Sequence, residues 1–322
     1  MCTNKCLVII IIILGLCILC ADSQYFNGIT IQVHRNSTPV TVLRADTINN
    51  EYEATTIVIE NEVIPVLKTE TFSNLTNLQY IILKRNSICE VEAYAFNNLP
   101  KARTINLNFN CIKRIYENVF ADLPISKLYL KGNGIQALDV YAFKNLTSLE
   151  TLDLSSNDIT SLAEHLFPDT RNLKFLYLNY NRLSEEPEMR EVHWTGYFEE
   201  PFSHNVKAER SVLDLSSNNF TCLDNNLLKG LVCVKHLLLN NNYMRKVKEY
   251  AFRDVAYLDL LDLEGNDLEE LPDRVLQKLE DTTDIKLRNN PWKMDFVCKY
   301  EKWCSNFNKS NTMDVKCTSS KV

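Results

Sequence analysis

From residue 54 onward the apolar residues return in one spacing, written L-x-x-L-x-L-x-x-N-x-L with L standing for any aliphatic side chain. Residues 78–88 carry it in full as Leu78, Ile81, Leu83, Asn86 and Ile88, and 149–159 as Leu149, Leu152, Leu154, Asn157 and Ile159. The same frame recurs from Ala102, Ile125, Leu173, Arg210, Val234, Leu258 and Thr282, with a period of 24 residues. A first copy starts at Ala54 and has Glu62 where the others have Asn. The L-x-L step alternates apolar and polar positions, so each copy predicts a short strand with one buried face. One copy cannot bury that face alone, whereas stacked copies enclose a continuous interior.

Two more columns keep the same register. Asn86, Asn110, Asn133, Asn157, Asn181, Asn218, Asn242, Asn266 and Asn290 form one; ten residues further on, Phe72, Phe96, Phe120, Phe143, Phe167, Leu228, Phe252 and Leu276 form the other. A carboxamide both donates and accepts, so a stacked Asn column predicts a hydrogen-bond ladder that satisfies the backbone where the chain turns out of each strand. The Phe column fills the width of the coil. Bulkier outer segments bend the stack, which leaves the strands on the concave side. The 43 Leu and 35 Asn of the 322 residues fit such a repeat, and 7 Gly with 9 Pro are far too few for a collagen-like or low-complexity chain.

These columns resemble the leucine-rich repeat family in its 24-residue extracellular form, over roughly residues 54–317. The resemblance implies an α/β solenoid, a horseshoe with a parallel concave β-sheet of about ten strands and a mostly irregular or short-helical convex side. It places the repeats at 54–289, a C-terminal cap at 290–322 and an N-terminal capping segment at 24–53, there expected to be a strand or hairpin without Cys. Asn290-Pro291-Trp292 resembles the start of the family's cysteine-rich cap, but Met294 and Phe296 stand where that pattern has Cys. Within the family the chain is similar to secreted insect immune proteins and to Toll-like ectodomains. The immune proteins often carry a coiled coil after the cap, whereas this sequence runs five residues past Cys317.

Residues 1–23 read as a signal peptide: Lys5, an apolar run from Leu7 to Cys20, then the small-x-small pattern Ala21-Asp22-Ser23. The run is shorter than a membrane span needs, and no second one follows, so a secreted, extracellular mature chain starting at Gln24 is expected, with no membrane span. It would keep seven cysteines: Cys89, Cys111, Cys222, Cys233, Cys298, Cys304 and Cys317. Cys89 and Cys111 fall in adjacent coils and are placed to bridge. Cys222 and Cys233 share one unit and are candidates to pair. One cap thiol is left over, to link a second chain in a disulfide-bonded dimer or to stay buried and unpaired. Asn36, Asn74, Asn145, Asn219 and Asn308 begin N-glycosylation sequons.

The formal net charge is −6 with no long basic run, which removes the electrostatic footing for nucleic-acid binding. No hydrolase, zinc-protease or phosphate-loop motif occurs, the five His are scattered, and neither an enzyme nor a cofactor or metal is expected. The binding residues should therefore lie on the concave face. Tyr80, Ile82, Tyr129, Phe175 and Tyr177 place aromatic and apolar groups there, Lys127 and His236 join them, and Asp153, Asp214 and Asp262 form an acidic track. Rigid exposed aromatics are the usual anchors of protein interfaces, although neighbouring aromatics also stabilise a sheet. None of the five sequons lies on this face. The unit from Leu173 is about a dozen residues too long, and the insertion at 184–209 holds Glu185, Glu186, His193, Trp194, Tyr197, Phe198, Glu199, Glu200, Phe202 and His204. It reads as a binding loop or as an irregular coil packed on the body. The whole suggests a secreted leucine-rich-repeat protein that binds another protein or a pathogen surface molecule, in innate immunity; an adhesion or matrix protein and a secreted inhibitor or decoy are the alternatives.

Overall fold

The computed structural model describes residues 29–35, 38–45, 53–162, 166–167, 170–185, 211–232 and 234–318. The chain winds into a solenoid whose inner wall is one 12-stranded sheet. Its strands are β1 (Ile29–Arg35), β2 (Thr38–Ala45), β3 (Thr56–Val58), β4 (Tyr80–Ile82), β5 (Thr104–Asn106) and β6 (Lys127–Tyr129). They continue as β7 (Thr151–Asp153), β8 (Phe175–Tyr177), β9 (Val212–Asp214), β10 (His236–Leu238), β11 (Leu260–Asp262) and β12 (Asp284–Lys286). The ten rungs β3 to β12 are parallel and follow chain order, each three residues long. The β1–β2 hairpin precedes them, and β1 lies antiparallel to β3.

Each rung buries its central residue and turns the flanking ones to the inner surface. Ile57, Ile81, Ile105, Leu128, Leu152, Leu176, Leu213, Leu237, Leu261 and Ile285 form one buried file. The next apolar position, from Ile59 to Leu287, forms a second. Behind them Phe72, Phe96, Phe120, Phe143 and Phe167 stack with ring centroids 5.5, 5.8, 6.4 and 5.6 Å apart. Among the described residues the convex side is mostly turns and two-residue ladders, such as Arg114–Ile115 against Ala137–Leu138, with one short helix, α1 (Asp273–Lys278).

The Asn side chains tie each coil to the one before it. Asn157 Nδ2 donates to the Leu130 and Leu154 carbonyls, and its Oδ1 accepts the N–H groups of Asn133, Gly134 and Ile135 at 2.9–3.0 Å. Asn218 and Asn290 repeat the pattern on Leu178 and Leu263. In the first coil Glu62 replaces Asn, and the element before it is an antiparallel strand. Its carboxylate accepts the N–H of Thr30 on β1 at 3.2 Å. The residue before each Asn takes a left-handed backbone, from Arg85 (φ 58°) through Phe109, Ser156 and Tyr180 to Asn289. At Gly132 (φ 67°) a Cβ would sit 2.8 Å from the Phe109 ring, so glycine there lets the ring lie flat on the backbone.

The overlong unit adds no rung. β8 pairs directly with β9, Leu176 opposite Leu213, and Leu183 N–H reaches Asn218 Oδ1 at 2.9 Å. Of the insertion only Ser184 and Glu185 are described, and Glu185 accepts from Thr221 N–H at 2.9 Å. Residues 186–209, with His193, Trp194 and Tyr197, lie outside the described residues, as do the segment 1–28, Asn36 and Cys233.

After β12 the cap helix α2 (Met294–Asn306) buries Phe296, Val297, Tyr300, Trp303 and Cys304. Trp292, Phe296, Tyr300, Trp303 and Phe307 run along it with successive centroids 5.1–6.1 Å apart. Phe296 is therefore part of the hydrophobic seal and Met294 faces solvent, while the bridge of the cap is Cys298–Cys317. Cys89 bridges Cys111 across adjacent coils.

Of the two outcomes open to the leftover cap thiol, Cys304 takes the buried, unpaired one: it is 3% exposed on the inner side of α2, where burial raises its pKa. Cys222 carries a free thiol rather than half of a bridge.

Candidate functional site

The inner surface is built by register. Parallel pairing sets the last residues of successive rungs side by side: Tyr129 beside Asp153, Asp153 beside Tyr177, Tyr177 beside Asp214, Asp214 beside Leu238 and Leu238 beside Asp262. Among the described residues no other segment packs across this face. Tyr80 is 38% exposed, Lys127 is exposed, and Ile82, Tyr129, Asp153, Phe175, Tyr177 and His236 are half-buried by their neighbours.

The acidic track is not the uniformly exposed row the sequence suggests. Asp214 is only 8% and Asp262 only 7% exposed. Each lies in a trough between larger residues of the adjoining rungs, and hydrogen bonds to the residue two places on pull it down. Asp214 Oδ1 accepts from Ser216 N–H at 3.0 Å and Ser216 Oγ at 2.6 Å, and Asp153 is held identically by Ser155. Asp262 accepts from Glu264 N–H at 3.1 Å and faces Lys286 Nζ at 3.3 Å. Burial raises the Asp214 carboxyl pKa, with Asp262 and Asp153 adding to it against the Ser216 bonds. The Tyr177 hydroxyl is also raised, by burial first and then by Asp153, Asp214 and Tyr129.

A rim of side chains that no hydrophobic pattern marks lies beside this face. Arg85, Phe109 and Tyr180 occupy the left-handed position before their Asn residues, and the Arg85 guanidinium lies 5.4 Å from the Phe109 ring centre. Phe109 and Tyr180 are exposed. Their signal was the column one place before Asn, which is mixed in composition and so carries no hydrophobic pattern.

Asn74, Asn145, Asn219 and Asn308 are all exposed and off the inner sheet. An open groove of about 780 Å³ runs between α1 and α2, lined by Arg274, Lys299 and Lys302 together with Asp273, Glu280 and Asp295. Its charges are mixed in sign and it is separate from the inner sheet. Among the described residues no group of three or more His, Cys, Asp or Glu is placed to hold a metal ion, and no helix is long and apolar enough to cross a membrane.

A family model described as Leucine rich repeat matches residues 77–127, 124–183 and 234–291, just over half of the chain. Trophoblast glycoprotein from Macaca fascicularis is 34% identical over 86 residues, and that from Mus musculus 35% over 85. Each alignment covers 26% of this chain and 20% of the relative, so the similarity spans about a fifth of those proteins. Among solved structures the chain resembles the glycosylated Toll–Spatzle complex from Drosophila, with a TM-score of 0.58 and 22% identity over 73% of this chain and 32% of that one. It also resembles the mouse RP105/MD-1 complex, with a TM-score of 0.59 and 20% identity over 80% and 42%. At those identities the likeness is one of fold.

Proposed function

The chain belongs to the leucine-rich repeat family, and we propose that it is a secreted, glycosylated binding module that holds a protein partner on its inner sheet and serves innate immunity. The observation that carries this reading is the open row of Tyr80, Ile82, Tyr129, Phe175 and Tyr177, large side chains held by a rigid backbone with nothing packed over them among the described residues. Ordering such groups before contact lowers the entropy lost on association, and aromatics of this kind dominate interface energies. Two bridges, Cys89–Cys111 and Cys298–Cys317, suit an oxidising compartment. The Lys5-to-Ser23 pattern supports export, and the exposed sequons off the sheet support glycans that leave it open. Two structures sharing the fold are complexes, Toll with Spatzle and RP105 with MD-1, and the first is described as a hub in development and innate immunity.

The test is affinity capture from body fluid, with the captured proteins identified by mass spectrometry. The double substitution Tyr129→Ala and Tyr177→Ala is expected to lower capture at least about tenfold while the circular dichroism stays native. Unchanged capture would move the interface to the rim or the convex side. For the immune role, transcript levels should rise on infection; steady expression in nerve or connective tissue would support adhesion instead.

A further inference from the structure

Asp214 and Asp262 are chemically parallel but not equally satisfied. Both are the last residues of their rungs, both are more than nine-tenths buried on the inner face, and both commit Oδ1 to the residue two places on. Asp262 has a cation on the next rung: Lys286 Nζ sits 3.3 Å from its Oδ2. Asp214 has Leu238 at that place, and its Oδ2 accepts no hydrogen bond from any described residue. On its other side stands the Tyr177 ring, and beyond the ring Asp153, whose Oδ1 is likewise held by Ser155. Across the four rungs β7 to β10, the inner-face positions hold Thr151, Asp153, Ser155, Phe175, Tyr177, Asn179, Val212, Asp214, Ser216, His236, Leu238 and Asn240, with no Lys or Arg among them. These four rungs thus have two carboxylates, one rung to either side of an aromatic ring, and no lysine or arginine among their inner-face positions.

We infer that the partner supplies the missing cation: a lysine or arginine side chain of a protein seats on Tyr177, between Asp153 and Asp214. Register puts the two carboxylates two strand spacings apart, roughly 10 Å. A guanidinium or ammonium over the ring then reaches both and gains from the face of the ring. Asp214 Oδ2 receives in the complex what Lys286 gives Asp262 in the free chain. Burial first, and then the neighbouring carboxylates, raise the pKa of the Asp214 carboxyl and of the Tyr177 hydroxyl. This inference rests on the inner sheet being the interface.

The test uses N-acetyl-arginine amide as probe, with N-acetyl-citrulline amide as its neutral isostere, titrated into the full mature chain. Backbone amide shifts of β7, β8 and β9 report binding. Arginine amide is expected to bind at least about tenfold more tightly than citrulline amide. Asp214→Asn should erase the difference, and Glu264→Gln, elsewhere on the inner sheet, should leave it. Leu238→Lys is the sharper variant, because it gives Asp214 the neighbour that Asp262 already has; it should abolish arginine binding while near-UV circular dichroism stays native. Equal binding of the two amides, or calcium ion shifting the same amides more strongly than arginine amide, would overturn the inference. Partner capture separates the two claims. If capture is lost with Tyr80→Ala and Tyr129→Ala but survives Asp214→Asn and Leu238→Lys, the cation seat falls and the interface stands. If capture survives all four, both fall.

Discussion

Asn157 shows how much one side chain carries. Its carboxamide satisfies two carbonyls and three N–H groups drawn from two coils, all but the Gly134 bond buried. Asn157→Ala would leave these groups unpaired at about 1–3 kcal/mol each, so a loss of at least about 3 kcal/mol is expected in urea unfolding. A loss under about 1 kcal/mol would mean that water replaces the ladder. Asp214 acts in the opposite sense. Its folded pKa is raised, so the folded state binds the proton more tightly than the unfolded chain does. Stability from this group is therefore fully present below the unfolded pKa and falls as pH rises through the folded pKa. The groups near it on the face are Asp153, Tyr177, His236, Asp262 and Lys286. Asp214→Asn is expected to melt no lower than the parent at pH 7, with any gain shrinking as the pH drops through the carboxylate range; a lower melting point at pH 7 would contradict this. The Asn and Phe columns were legible because each position asks for one chemistry. The left-handed backbone of Arg85, Phe109 and Tyr180 was not, since those residue types have no preference for it and the coil imposes it.

At the scale of elements, the rungs could be read from the alternation of Leu and polar residues, down to the first copy with its Glu62. The burial of Asp214 and Asp262 could not, because it depends on the sizes of residues two dozen or more places away that only stacking makes adjacent. The cap was half legible. Asn290-Pro291-Trp292 marked its start, but the seal comes from an aromatic row along α2 and the bridge from cysteines set further on. That arrangement leaves Cys304 inside. In the native protein Cys304 is expected to resist a thiol-labelling reagent, and to react at once after unfolding, with labelled peptides identified by mass spectrometry. Rapid labelling in the native state, or a dimer on a non-reducing gel linked through Cys304, would show the cap to be open.

At the scale of the whole molecule, 24-residue periodicity becomes a surface. Ten three-residue rungs, each adding two inner-face side chains with a third from the residue two places on, present a continuous wall on which aromatic anchors and carboxylates alternate from β6 to β9. The insertion after β8 leaves the pairing of β8 with β9 intact, so the wall is uninterrupted. Its use as the site of partner contact is the central claim, and one measurement tests it without altering any proposed anchor. Asn108→Thr creates a glycosylation sequon at Asn106, the last residue of β5, on the inner face beside Tyr129. Expressed in a cell that attaches the glycan, and verified by mass, the variant should fold as the parent does and lose capture of the partner. Full capture with the inner sheet carrying a glycan would contradict the claim.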